Sequence, residues 1–167
     1  MLHIDIEQDD DRWNAVDAQL MERIEQSLRA AIAATDYAPC LNDGETAELS
    51  LLLSSDEHVQ TLNKAYRGKD KPTNVLSFPG DEGVQGLPRH FGDIIIAYDV
   101  VMQEAEAQKK HPADHLLHLC VHGCLHLLDY DHIRDEDAEI MENLERQILK
   151  TLGISDPYID IKQVEHS

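Results

Sequence analysis

The sequence is short of positive charge: 14 lysines and arginines stand against 33 acidic residues, a formal net charge of -19. Such a surface repels polyanions at long range and favours solubility, so any phosphate site has to be local. Cysteine is scarce as well. Cys40, Cys120 and Cys124 are an odd and sparse set, unlike the disulfide framework of a small secreted domain, and read as free thiols in a reducing compartment. No apolar run approaches the roughly 20 residues that span a bilayer. The opening MLHIDIEQDDDRW has neither a basic n-region nor an apolar h-region. A soluble, cytoplasmic protein without a membrane partner is expected.

What is present suits one compact unit. A chain of 167 residues, 42% hydrophobic, is the usual size of one domain, and no linker or internal repeat divides residues 1–167. Leu2 to Ile6 alternates like a short strand, and Val16, Leu20, Ile24, Leu28 and Ile32 recur every fourth residue, as on an amphipathic helix. Ala47 to Leu53 reads as a buried strand. Ser54 with Glu57 forms a capping-box pattern for a helix carrying Val59, Leu62 and Tyr66. Asn74 to Phe78 is a short β-prone run, the Gly/Pro-rich Pro79 to Pro88 a loop, and Gly92 to Tyr98 an apolar strand. Helices follow over Val100 to Lys110, from Pro112 to about Leu128, and in a last segment with Ile140, Leu144, Ile148 and Leu152 on one stripe. This order predicts a single α+β domain whose sheet is covered by helices.

The histidines carry the first chemical signal. In HGCLHLLDYDH, His122 and His126 lie four apart, so one helix face can turn both imidazoles toward one ion. If the helix ends near Leu128 and the chain turns back, His132 supplies a third ligand and one tetrahedral position stays open for water. That pattern describes a single catalytic zinc ion at the end of a helix in the C-terminal half. His118 shares the face and is read as standing behind the ligands or as plain helix surface, with His115 a weaker case of the same kind. Metzincin peptidases share the spacing but place a glutamate after the first histidine as general base. Here Gly123 occupies that place, which moves the expectation away from proteolysis.

With these histidines and the segment YRGKDKPTNVLSFP together, the chain resembles the YbeY family of single-domain bacterial proteins, also called rRNA maturation factors or endoribonucleases. The likeness runs through Tyr66 to Pro79, the GDIIIA strand, His115 to His132, the acidic helix after it and the ending LGISDPYI. The resemblance implies an α+β fold with a mixed sheet of about four strands, and one zinc ion on His122, His126 and His132. It also implies metal-dependent cleavage of single-stranded RNA in ribosomal RNA processing, including maturation of the 16S 3′ end, and work in ribosome assembly and quality control with the small ribosomal subunit. One departure is Asp129, where the family pattern has a glycine at the turn; an Asp adopts a left-handed backbone there at a cost of roughly 1 kcal/mol.

The family ties an arginine at the place of Arg67 to activity, and a guanidinium can clamp phosphate oxygens and offset charge in a transition state. Arg67 and His122 are the expected catalytic residues. Lys64, Lys69 and Lys71 would extend Arg67 into a substrate-binding strip, or would simply be cations near a helix C-terminus. Asp131 would orient a ligand or cap the turn. Cys120 and Cys124 are expected as small buried hydrophobes, and Asp9 to Asp11 and the acidic last helix as solvated surface. Two alternatives stay open: a metallohydrolase of another substrate, and a non-catalytic assembly factor with a structural metal.

Overall fold

The computed structural model describes residues 2–35, 46–80, 89–128 and 135–157. Strand β1 is Leu2–Gln8, followed by a short 3-10 helix at Asp11–Ala15 and helix α1 at Leu20–Ala33. Strand β2, Ala47–Ser54, leads into α2, Asp56–Arg67. Strands β3, Val75–Pro79, and β4, Arg89–Ala97, precede α3 at Tyr98–Ala107, α4 at Pro112–Leu127 and α5 at Asp135–Thr151. The four strands form one mixed sheet in the order β1-β2-β4-β3. β1 and β4 flank β2 in parallel, and β3 runs antiparallel to β4. This is the α+β arrangement that the order of elements predicts.

Alternation along the strands gives the sheet two faces. On one, Leu49, Leu51 and Leu53 of β2 and Ile94 and Ile96 of β4 are almost fully buried, packed with Ile24, Leu28 and Ile32 of α1 and much of α4. Each such side chain contributes roughly 1.5–3 kcal/mol by leaving water. On the other face, Leu76, Ile95 and Ala97 pack with Val59 of α2. Helix α4 touches α1, α3, α5, β3 and β4, so it is the hub of the packing. Trp13, wholly buried, donates from Nε1 to the Ser54 carbonyl at 3.0 Å and meets the Tyr98 ring edge-on, tying the 3-10 helix to β2 and α3.

Three local expectations are corrected. The cap of α2 is Ser55, whose hydroxyl accepts from the His58 N–H, and not Ser54. Ser54 instead completes β2, its carbonyl held by Trp13 and its hydroxyl hydrogen-bonded to His58 Nδ1 at 2.8 Å. Tyr66, expected on the stripe with Val59 and Leu62, is 71% exposed and meets the Phe78 ring edge-on. In α5 the buried stripe is Met141, Glu145, Ile148 and Leu149, whereas Ile140 is 55% exposed. The face of α5 is rotated because a carboxylate lies at its centre. Among the described residues, no helix is long and apolar enough to cross a membrane.

Candidate metal centre

Pro112 occupies the first turn of α4, where its missing N–H costs nothing, and His111 caps the helix by accepting from the Ala113 N–H. The helix then runs without interruption to Leu127, close to the expected end. His118, His122 and His126 therefore lie one turn apart on one face.

His122 and His126 bring their Nε2 atoms to 3.0 Å from each other. Two nitrogens bound to one tetrahedral zinc at 2.0–2.1 Å would lie about 3.3 Å apart, so these rings already point at a common position. Behind them stands Glu145 of α5, whose side chain has no exposed surface. Its Oε1 is 2.5 Å from His122 Nδ1, and its Oε2 is 3.0 Å from His118 Nε2. Burial pushes this carboxyl up, but the hydrogen bonds from His118 and His122 and the attraction of those rings outweigh it and bring its pKa down to about 2. The donor set suits a metal ion: histidine nitrogens with a buried carboxylate beside them. Candidate ligand atoms of His118, His122 and Glu145 also lie within 4.8 Å of one another, a second way in which the same group could hold an ion. His132, Asp129 and Asp131 lie outside the described residues.

A second carboxylate–histidine pair lies farther up α4. His115, 4% exposed, places Nε2 3.0 Å from Glu104 Oε1, and Asn74 donates to the same carboxylate at 3.1 Å. Burial raises the Glu104 pKa, yet the His115 and Asn74 hydrogen bonds prevail and leave it lowered.

Arg67 ends α2, and Gly68, at φ 69°, closes that helix in the left-handed region. The guanidinium is exposed; its Nη2 donates to the Ser77 carbonyl at 3.1 Å, and its centre lies 5.9 Å from that of the Phe78 ring. The Ser77 hydroxyl in turn donates to the Gly123 carbonyl at 3.2 Å. Arg67 is thus tied through β3 to the helix that bears the histidines. Lys64, Lys69 and Lys71 are exposed around the bend after α2, with Lys64 3.8 Å from Asp70. The bend is held from inside by buried Asn63, whose side chain donates to the Lys71 carbonyl and whose carbonyl accepts from the Lys69 N–H.

The family model described as Endoribonuclease YbeY matches residues 5–153. The chain belongs to the YbeY family. It is 47% identical to the Endoribonuclease YbeY of Azorhizobium caulinodans over 159 residues, covering 94% of this chain and 96% of that one. The counterpart in Rhodospirillum rubrum is 45% identical, with 92% and 80% covered. The Endoribonuclease YbeY of Dichelobacter nodosus is 53% identical over 114 residues, 68% of this chain and 74% of its own. The solution structure of a Thermotoga maritima protein superposes with a TM-score of 0.51 at 25% identity, covering 92% of this chain and 97% of that one.

Within this YbeY fold, Gly123 has a packing role. A Cβ there would lie 3.1 Å from Ser77 Oγ and 3.3 Å from the Cγ2 atoms of Ile94 and Val75. The position that holds a general base in metzincins faces the sheet here, and only a hydrogen fits without displacement. Cys120 and Cys124 are buried free thiols within the core, as expected. Burial pushes Cys124 up to about 12, and burial with the neighbouring Cys124 pushes Cys120 higher still, so neither supplies a thiolate.

Glu145 is the residue that sequence reasoning missed, since an acidic helix reads as solvated surface. A signal was available. Met141, Glu145, Ile148 and Leu149 follow i, i+4, i+7, i+8, so one glutamate interrupts an otherwise apolar face. A charge in that position needs a buried partner.

Proposed function

We propose that this chain is a metal-dependent endoribonuclease that cleaves single-stranded RNA, with one zinc ion held by His122, His126 and His132 and with Arg67 engaging the phosphodiester. The observation that carries this is the 3.0 Å approach of His122 Nε2 to His126 Nε2 on a helix tied to Arg67 through Ser77. Relatives named Endoribonuclease YbeY, 45–53% identical to this chain, support the choice of RNA.

When bound, the ion supplies Lewis acidity, lowering the pKa of water and polarising a phosphoryl oxygen. The protein's own groups orient the reaction. In its neutral form His122 turns Nδ1–H to Glu145 and Nε2 toward the ion, and Arg67 offers a planar cation to two phosphate oxygens and to the charge that grows in the transition state. The exposed Lys64, Lys69 and Lys71 add attraction for the RNA backbone in a chain whose net charge of -19 opposes it elsewhere. The same charge supports a setting in which protein contacts on the small ribosomal subunit supply much of the affinity, during rRNA processing in the cytoplasm.

The test is cleavage of single-stranded RNA by purified protein, with and without a chelator, beside Arg67→Ala and His126→Ala. Metal-dependent cleavage by the parent and its loss in both variants is expected. Equal cleavage by all three would point to a contaminating nuclease and defeat the proposal. Loss of cleavage on chelation with the fold intact separates catalysis from a structural ion.

A further inference from the structure

His118, His122 and His126 recur one turn apart on one face of α4, yet an ion held by this helix and the chain beyond it needs only two of them. Helical spacing does not choose, because His118 stands to His122 as His122 stands to His126. The choice lies in how the rings are turned. Each Glu145 oxygen accepts, so the ring nitrogen facing it carries the proton. On His122 that nitrogen is Nδ1, at 2.5 Å, which leaves Nε2 unprotonated and directed at His126 Nε2. On His118 it is Nε2, at 3.0 Å, which leaves the unprotonated nitrogen at Nδ1, and that atom is buried. In their neutral forms the two neighbouring histidines are thus directed toward opposite tautomers by one carboxylate.

We infer that Glu145 sorts the histidines of α4, fixing His122 as a ligand through Nε2 and holding His118 out of the coordination set as a brace for the carboxylate. The inference rests on the reading above, in which His122 and His126 bind the ion. Glu145 is a positioning residue: it acts through His122 and touches neither ion nor RNA. Its placement on α5 means that the last helix orients a ligand of α4. The competing arrangement, an ion taken directly by His118, His122 and Glu145, requires the hydrogen bonds at 2.5 and 3.0 Å to be replaced by coordination.

The experiment measures zinc affinity of the full chain by competition with a chromophoric chelator, for the parent, Glu145→Gln, His118→Gln and His126→Ala. Nitrogen chemical shifts of the imidazoles are recorded on the metal-free forms. Removing a carboxylate that orients a ligand costs about 10–100-fold in metal affinity, and that fall is expected for Glu145→Gln. The His122 resonances should show the Nδ1–H tautomer in the parent and a mixture in Glu145→Gln, a change that loss of packing alone would not produce. His118→Gln should weaken zinc less than His126→Ala does. Should Glu145→Gln fail to fold, the last comparison still decides. Affinity lost equally in His118→Gln and His126→Ala would make His118 a ligand and overturn the inference. So would Glu145→Gln with both affinity and tautomer unchanged. A parent protein that binds no zinc would instead defeat the underlying reading.

Discussion

Arg67 donates through Nη2 to the carbonyl of Ser77 at 3.1 Å, so the exposed cation at the end of α2 is anchored to the strand against which α4 lies. Among the described residues that bond is its one hydrogen bond, and in the proposed function the rest of the fork engages the phosphodiester. Removing a single group that stabilises transition-state charge costs about 10²–10³ in turnover, and that loss is expected for Arg67→Ala in RNA cleavage assays. Because the side chain is exposed, the thermal midpoint of the variant should stay near that of the parent. Arg67→Lys keeps the charge but loses the planar fork, so its activity should fall between the two. Full activity in Arg67→Ala would remove this residue from the chemistry.

Gly123→Ala sets two effects against each other. An alanine gains about 1 kcal/mol of helix propensity. Its Cβ, however, presses on Ser77, Ile94 and Val75 at 3.1–3.3 Å, and overpacking costs typically about 1–3 kcal/mol. Two of those neighbours are β-branched residues fixed in strands, so the packing loss should prevail. A fall in melting temperature of about 2–4 °C is expected. Gly123→Glu should not create a peptidase; it should unseat α4 and lower zinc affinity. A higher melting temperature for the alanine variant would contradict this account of the contact.

Glu145 makes the metal-free protein sensitive to acid in a defined direction. Its pKa is lowered in the fold to about 2, from an ordinary value of 4.5. A lowered carboxyl contributes stability that is complete above its ordinary pKa and is lost as the pH falls toward the lowered one. With about 1.4 kcal/mol for each pH unit between the two values, that contribution is roughly 3 kcal/mol. Urea unfolding of the metal-free chain between about pH 6 and pH 2.5 should show this loss in the parent, and a flatter profile in Glu145→Gln. Parallel profiles would mean that the carboxylate is not held by the two rings.

Cys120 and Cys124 should resist alkylation in the native protein, since burial raises both thiols far from a reactive thiolate. Iodoacetamide treatment followed by peptide mass mapping should find them unmodified until urea is added. Rapid native labelling of either would show that α4 opens.

The elements were legible where periodicity was strong. β2 and the run of α4 lie within a residue or so of their expected bounds, because a short apolar strand and a helix opened by Pro112 carry local signals. What failed was the orientation of faces. Ile140 belongs inside by its chemistry, yet α5 turns it outward to seat Glu145 between His118 and His122. That is a tertiary fact: a glutamate becomes a core residue only once another helix supplies two imidazole protons. Of the candidate site, the shared face of His122 and His126 was legible from their spacing. The tether of Arg67 to Ser77 was not, since it joins residues ten apart across a helix end and a strand.

The strand order β1-β2-β4-β3 has a consequence for the time course of synthesis. Among the described residues β4, the last strand made, takes the place beside β2, and β3 pairs with β4 alone. Until residue 97 has emerged, the leucine-rich β2 presents an open edge with no neighbour on that side. Unpaired edges of this kind template pairing between chains. A ribosome halted between β2 and β4 is therefore expected to carry an aggregation-prone fragment.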